Sequence, residues 1–477
     1  MQPAWQFLRI IGAAVLQHGR DQLPKRYLHR VLPEVAQTVW NEWGQRVDEE
    51  TRIQTLSATA RAMGKIRPYV EMVVDDIAPN QPETVRKPLL TYLSVIPSSI
   101  RIALRRPNDP KGLSVPHWLV PREADDLLIF MPSSVPVFEP GAKPLPDVDW
   151  ELTDLLGVGG FGEVWKAQNP TFSSVPPVVL KFCLDPKGSN RAFRHEAAIL
   201  TQAMPNKPHP GIVELRATYM NHNPPCLEFE YISGGDLIQW FKGRKREHGP
   251  LDARKATWIV HRLARIVGYF HTRKPPIVHR DLKPANILVR RVGRRMEFKI
   301  CDFGIGGLAS SEPSGVMEEI TSRRLIKRSA MKGYHTKDYA SPQQIKGGPP
   351  DPRDDVHALG VIWFQLLMND LRLPAPTGLD WIEDLAHHGF NREQLELISS
   401  CFQSRADLRP PNARVLAQEI AQRFRSILQP NGGKHSPRSR STVAAKSSLS
   451  RATPPPNGPA QGESPSKGGL FSRFFSK

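Results

Sequence analysis

The sequence predicts an α+β fold, β-rich first and helical afterwards, with a mainly helical region in front of it and a disordered tail behind it. Three observations carry this expectation. From about Trp150 to Ile427, short β-rich runs give way to long helical stretches such as "ARKATWIVHRLARIVGYFH". Residues 1 to about 145 instead show helical spacing of apolar positions. From Pro430 the chain turns Ser/Pro-rich, with eight basic side chains against the single acid Glu463. Such a tail buries too little apolar surface to offset the entropy of ordering it.

In the first region, "LHRVLPEVAQTVWNEW" and "TRIQTLSATARAMGKI" alternate three- and four-residue apolar spacings, as amphipathic helices do. The opening "AWQFLRIIGAAVL" is broken by Gln6 and Arg9, and it falls short of the ~20 apolar residues a spanning helix needs. It is read as a helix that packs on its neighbours. Pro and Gly then multiply through "RRPNDPKGLSVPHWLVP" and "SSVPVFEPGAKPLPD", a pattern of extended connections. No catalytic constellation occurs before residue 145, and the region reads as a regulatory or docking module without a named partner.

The 477 residues are 39% hydrophobic and 23% charged, the composition of a soluble globular protein. A formal charge of +18 permits contact with nucleic acid or an anionic membrane and demonstrates neither. No clear nucleic-acid signal accompanies it, because the aromatic residues of the tail are confined to the closing "GLFSRFFSK". That peptide offers anionic membrane contact as the alternative to a solvated tail. The four cysteines are far apart and lack a C-x-x-C pair, which argues against zinc and a disulfide framework. A cytoplasmic location fits best.

The chemistry-bearing stretches follow in order. "LLGVGGFGEVWKA" sets Gly157, Gly159 and Gly162 at G-x-G-x-x-G spacing, with Val158 and Gly160 between them and Val164 beyond. Glycines let backbone wrap phosphates closely. A dinucleotide fold would start a helix at the third glycine, whereas "EVWKA" reads as a strand, so a phosphate-covering hairpin is expected. "PVVLKF" then places Lys181 on an apolar strand, and "RAFRHEAAIL" places Glu196 on a helix that can supply its counter-charge.

"VHRDLKPANILV" holds Asp281, Lys283 and Asn286 between apolar flanks, and "KICDFGIGG" sets Asp302 after a β run. Asn286 and Asp302 are hard oxygen donors suited to Mg²⁺, with Mn²⁺ as its substitute. Asp281 can orient a hydroxyl and accept its proton, and Lys283 can neutralise charge on a moving phosphoryl group. These residue types together suit positioning during phosphoryl transfer.

The ordered set of Gly loop, Lys181, Glu196, His279–Arg280–Asp281, Asn286 and Asp302–Phe303–Gly304 resembles the eukaryotic-type serine/threonine protein kinase family over about residues 150–427. The resemblance implies a bilobal kinase fold, ATP as phosphoryl donor and protein substrates. It implies that "CLEFEYISGGDL" links the lobes, with Phe229 as gatekeeper, Glu230 and Ile232 offering backbone to adenine, and Asp236 meeting the ribose. Val164, Val179 and Leu288 would enclose the ring, and Asp355 would anchor the catalytic loop. Lys283 and Thr336 follow the serine/threonine pattern. The family's Ala-Pro-Glu reads Ser341–Pro342–Gln343 here, which reduces the usual ion pair, here to Arg409, to a neutral hydrogen bond. The segment with Ser310, Ser311, Ser314, Thr321, Ser322 and Ser329 is expected to be autophosphorylated through self-association, with Arg280 pairing the phosphate. A kinase-fold scaffold or adaptor with weak catalysis is the alternative, and it would need a missing Lys, Asp or Asn.

Overall fold

The chain divides into two units, Met1–Gln429 and Pro430–Lys477, and the elements described below belong to the first. The computed structural model describes residues 2–428 apart from 63–65, 107–108, 160–161, 185–192, 195–196, 202–208, 294, 303–306, 309–337, 377–379 and 388. Gly160, Glu196, Phe303, Gly304, Thr336, the Ser310–Ser329 segment and the tail therefore lie outside the described residues.

Five helices build the first region: α1 (Gln2–Gly19), α2 (Leu32–Val39), α3 (Glu49–Arg61), α4 (Arg67–Ile77) and α5 (Glu83–Leu104). Asp48 starts α3 by accepting a bond from Thr51 N at 2.8 Å, satisfying one of the open amides of the first turn. Phe7, Leu8 and Ile11 of α1 pack with Val35, Leu56, Val70 and Leu89 in a core of their own. Among the described residues no helix is long and apolar enough to cross a membrane.

The β-rich part is a five-stranded antiparallel sheet of order β1–β2–β3–β5–β4. Its strands are β1 (Glu151–Gly159), β2 (Gly162–Gln168), β3 (Val178–Cys183), β4 (Leu215–Tyr219) and β5 (Cys226–Glu230). Alternation divides β2 and β3 cleanly. Trp165, Ala167, Val178 and Leu180 are buried on one side, and half-buried Val164, Val179 and Lys181 lie on the other. The glycine stretch closes the β1–β2 hairpin as its spacing predicts. At Gly162, with φ +156°, a Cβ would sit 1.6 Å from Phe182 O, so no other residue fits there.

Helix α5 explains why the buried side of this sheet can be apolar. Its Val95 joins Leu152, Leu155, Trp165, Leu180 and Phe182 in one cluster, while Leu89, Tyr92 and Ile96 of the same helix face the helical core. Ser98 Oγ accepts the Leu155 amide at 2.7 Å, where the β1 ladder is irregular. The connection after α5 holds the next strand: buried Glu163 accepts the Val137 amide, Phe138 N at 3.3 Å and Trp165 Nε1 at 2.8 Å. Burial still keeps its carboxyl above the ordinary carboxylate range. The first region thus packs on the small-lobe sheet of its own chain.

The larger lobe is helical, with α6 (Leu237–His248), α7 (Ala253–His271), α8 (Pro352–Leu367), α9 (Asp380–His387), α10 (Arg392–Cys401) and α11 (Ala413–Arg423). Short strands β6 (Ile277–Val278), β7 (Ile287–Val292), β8 (Arg295–Ile300) and β9 (Gly307–Leu308) pair as β6–β9 and β7–β8. Asp252 caps α7, and its Ile259, Leu263, Val267 and Phe270 enter the core at helical spacing. Trp363 Nε1 of α8 donates to Thr257 Oγ1 of α7 at 3.2 Å, crossing the two buried helices.

Because Trp165 is fully buried between the sheet and α5, Trp165→Ala should lower unfolding free energy by about 3–5 kcal/mol. Denaturant unfolding checks this, and a cost below about 1 kcal/mol contradicts the packing of α5 on the sheet.

Candidate active site

The cluster around Asp281 is built from backbone outward. Asp355, buried near the start of α8, accepts His279 N at 2.7 Å, Arg280 N at 2.8 Å and His271 Nε2 at 2.9 Å. Burial alone would raise its carboxyl. The contacts with His271 and His279 outweigh that, and its pKa lies below the usual carboxylate range. Arg280 takes φ +62°, which turns the chain so that Asp281 follows inward. His279 Nε2 donates to Cys301 O at 2.9 Å while its Nδ1 accepts the Asp281 amide at 3.3 Å, so both ring nitrogens are held.

Asp281, Lys283 and Asn286 then meet. Lys283 Nζ donates to both Asp281 oxygens, at 3.0 and 2.8 Å. Asn286 Nδ2 donates to Asp281 O at 2.8 Å and to Asp281 Oδ2 at 3.0 Å, leaving its Oδ1 as the acceptor end. Across from them, Lys181 Nζ donates to Asp302 Oδ1 at 3.0 Å. The Lys181 side chain is 22% exposed and that of Asp302 48%, so this pair sits at the mouth rather than in the core. Asp302 has φ +63°, directly after the carbonyl held by His279. Lys181 ties the small-lobe sheet to Asp302, a link 121 residues long that no local signal could show.

The segment after β5 is anchored to the large lobe. Glu230 accepts Lys299 Nζ and, at 3.0 Å, the Glu214 amide. Ile232 is buried, and Val289 N donates to Gly235 O at 2.8 Å. Asp236 caps α6 by accepting Gln239 N at 2.8 Å, and it also bridges to Leu288. Half-buried Val179 and Leu288 pack against the same core, and Val164 pairs directly with Lys181 in the β2–β3 ladder. The Gly157–Gly159 edge of the hairpin continues from that strand pair.

Sequence reasoning did not foresee the partners of Arg280. Its Nη2 donates to Gly348 O at 2.7 Å, and its Nε lies 3.8 Å from Asp354. Ser341 Oγ donates to Asp354 at 2.5 Å, yet burial keeps the Asp354 carboxyl above its ordinary range. Arg409 Nη2 donates to Gln343 Oε1 at 2.6 Å, the hydrogen bond to a neutral acceptor that replaces the ion pair after the Ser341–Pro342–Gln343 departure. His357 lies behind this loop, its Nδ1 donating to Tyr339 O at 3.3 Å. Burial, then the Arg409 charge, pushes the imidazole down to about 4.

A depressed histidine pKa means that the unfolded chain binds the proton more tightly. Stability is therefore full above the unfolded value of about 6.5 and falls as pH drops from there toward about 4. His357→Gln, which keeps a donor for Tyr339 O, should remove on the order of 3 kcal/mol of that pH dependence. Equal slopes for both proteins in unfolding measured from pH 7 to 4 contradict the assignment.

Comparison with known proteins agrees with this geometry. The family model described as "Protein kinase domain" matches residues 150–435, more than half of the chain. The chain is similar to serine/threonine-protein kinase CTR1 of Arabidopsis thaliana, 28% identical over 257 residues, which cover 53% of this chain and 28% of that protein. It is similar to serine/threonine-protein kinase PknD of Chlamydia pneumoniae, 31% identical over 235 residues, with coverages of 46% and 24%. Serine/threonine-protein kinase VIK of Arabidopsis thaliana is 29% identical over 246 residues, with coverages of 48% and 51%. The match spans about a quarter to a half of the length of these relatives. With the motifs in family order and the family model covering 150–435, the chain belongs to the protein kinase family.

Proposed function

We propose that the chain is a serine/threonine protein kinase that transfers the γ-phosphoryl group of ATP to protein hydroxyls. The observation that carries the reading is the Asp281–Lys283–Asn286 cluster, hung from Asp355 and facing the Lys181–Asp302 pair. In this reading Asp281 orients the attacking hydroxyl and takes its proton as the new O–P bond forms and the bond to the departing ADP breaks. Lys283, already on both Asp281 oxygens, neutralises charge that builds on the transferred group.

The donors fit a divalent metal of the magnesium class: Asn286 turns its amide nitrogen to Asp281 and keeps an oxygen end, and the Asp302 carboxylate is half exposed. When bound, such an ion supplies charge neutralisation to the phosphates. In this reading Gly157, Val158, Gly159 and Gly162 would cover the phosphates, with Lys181 sharing its ammonium between them and Asp302; Gly160 and Glu196, assigned to the same site, lie outside the described residues. Adenine lies between Val164, Val179 and Leu288 and meets the backbone of Glu230 and Ile232. Asp236 takes the ribose with the same carboxylate that caps α6.

Lys283 and Thr336 support serine and threonine as acceptors. Autophosphorylation between Ser310 and Ser329 is part of the proposal, and an incoming phosphate there competes with Asp354 and Gly348 for Arg280. Residues 1–145 act as a helical module attached to the kinase domain of 150–427, ahead of the basic tail of 430–477. The scaffold alternative draws no support, since Lys181, Asp281, Lys283, Asn286 and Asp302 are all present.

Labelled ATP, Mg²⁺ and a generic basic protein substrate test this reading, with phosphoamino-acid analysis of the product. Label is expected on Ser and Thr, and Asp281→Asn should lower transfer on the order of 10²–10⁴-fold while nucleotide binding persists. Predominant phosphotyrosine, or wild-type turnover in the variant, contradicts it.

A further inference from the structure

We propose that a recess between α5 and the segment joining the two lobes binds a small multivalent anion of the phosphate class. The recess has a volume of about 200 Å³. Arg101, Arg105 and Lys111 line it from the helical region, and Asp154, Lys166 and Tyr231 line it from the kinase lobes. None of these groups belongs to the catalytic cluster.

Charge balance makes the case. Asp154 is the single carboxylate among the lining residues and already serves two cations, Lys166 Nζ at 3.2 Å and Arg101 Nε at 3.6 Å. Arg105, and Lys166 in addition to its carboxylate, share one aromatic ring, lying 5.2 and 5.1 Å from the Tyr231 centroid. A ring quadrupole attracts cations and does not neutralise them. Four cations and one carboxylate therefore line one recess, where the like charges repel. An anion relieves that repulsion.

Donor geometry and size identify its class. Arg105 Nη1 donates to Tyr231 Oη at 2.5 Å, which holds the guanidinium at the wall of the recess. Guanidinium groups recognise phosphate oxygens through paired donors. At about 200 Å³ the recess holds a phosphate or pyrophosphate with a few waters, and it is smaller than the roughly 300–1,000 Å³ of sites for whole drug-sized ligands. Exposed Lys111 stands at its rim. An anion here cements α5 to Tyr231, between the two residues assigned to adenine.

Pyrophosphate titrated calorimetrically into the full chain, without divalent metal, tests the proposal. Lys181→Met serves as the background, because it removes the cation of the nucleotide cleft. This protein is expected to bind one equivalent saturably, more weakly as salt rises. Adding Arg105→Gln and Lys111→Gln should weaken binding about tenfold or more. Lys111→Gln alone, at an exposed position that leaves the fold intact, should weaken it several-fold. The proposal is overturned if the Lys181→Met protein binds no pyrophosphate, or if affinity is unchanged by the Arg105 and Lys111 substitutions.

Discussion

One buried carboxylate sets the working geometry of the large lobe. Asp355 receives two consecutive backbone amides, His279 and Arg280, and the ring of His271. Consecutive amides point the same way only when the chain turns sharply, and the positive φ of Arg280 is that turn. Asp281 follows from it by covalent geometry. The His279 ring passes the constraint on to Cys301 O, so Asp302 is oriented by the same anchor from another part of the chain. Two acidic groups more than twenty residues apart in sequence are thus placed by one helix terminus.

The small lobe depends on a different constraint, which is that both sides of its sheet are covered. The side carrying Val164, Val179 and Lys181 meets the large lobe through the Lys181–Asp302 contact. The other side is closed by α5 and the segment around Leu145. Glu163, one residue beyond the last loop glycine, holds the connection from the helical region by its amides. The end of α5 reaches the large lobe, where Gln239 Nε2 of α6 donates to Ile102 O at 3.1 Å, and the segment between the lobes, where Arg105 Nη1 donates to Tyr231 Oη at 2.5 Å. Arg246 of α6 donates to Trp118 O, lies over its ring and adds a third attachment. The first region therefore touches the sheet, the joining segment and the large lobe at once.

Legibility in the sequence followed locality. The Asp281, Lys283 and Asn286 cluster is written within six residues, and α7 matches its helical stretch from Ala253 to His271. The hairpin was readable because glycine spacing and the β pattern of "EVWKA" are both short-range. The Gln343–Arg409 bond followed from a single departure from a family motif. Contacts between distant segments left no such trace: Ser98 to Leu155, Arg280 to Gly348 and Lys181 to Asp302 depend on the assembled fold. One signal was present and unused. Val164 and Trp165 are adjacent in a strand, so they point to opposite sides, and two large apolar faces require cover on both. That pattern indicates that some other part of the chain must pack on the sheet.

Amide hydrogen exchange at His279 and Arg280 tests the anchoring role of Asp355 most directly, because those two N–H groups are the bonds in question. In Asp355→Asn one carboxylate oxygen becomes a donor that faces donors. Exchange at these two amides is expected to accelerate by about tenfold or more, while the interior amides of α7 keep their protection. Unchanged protection at His279 and Arg280 in the variant would contradict the account.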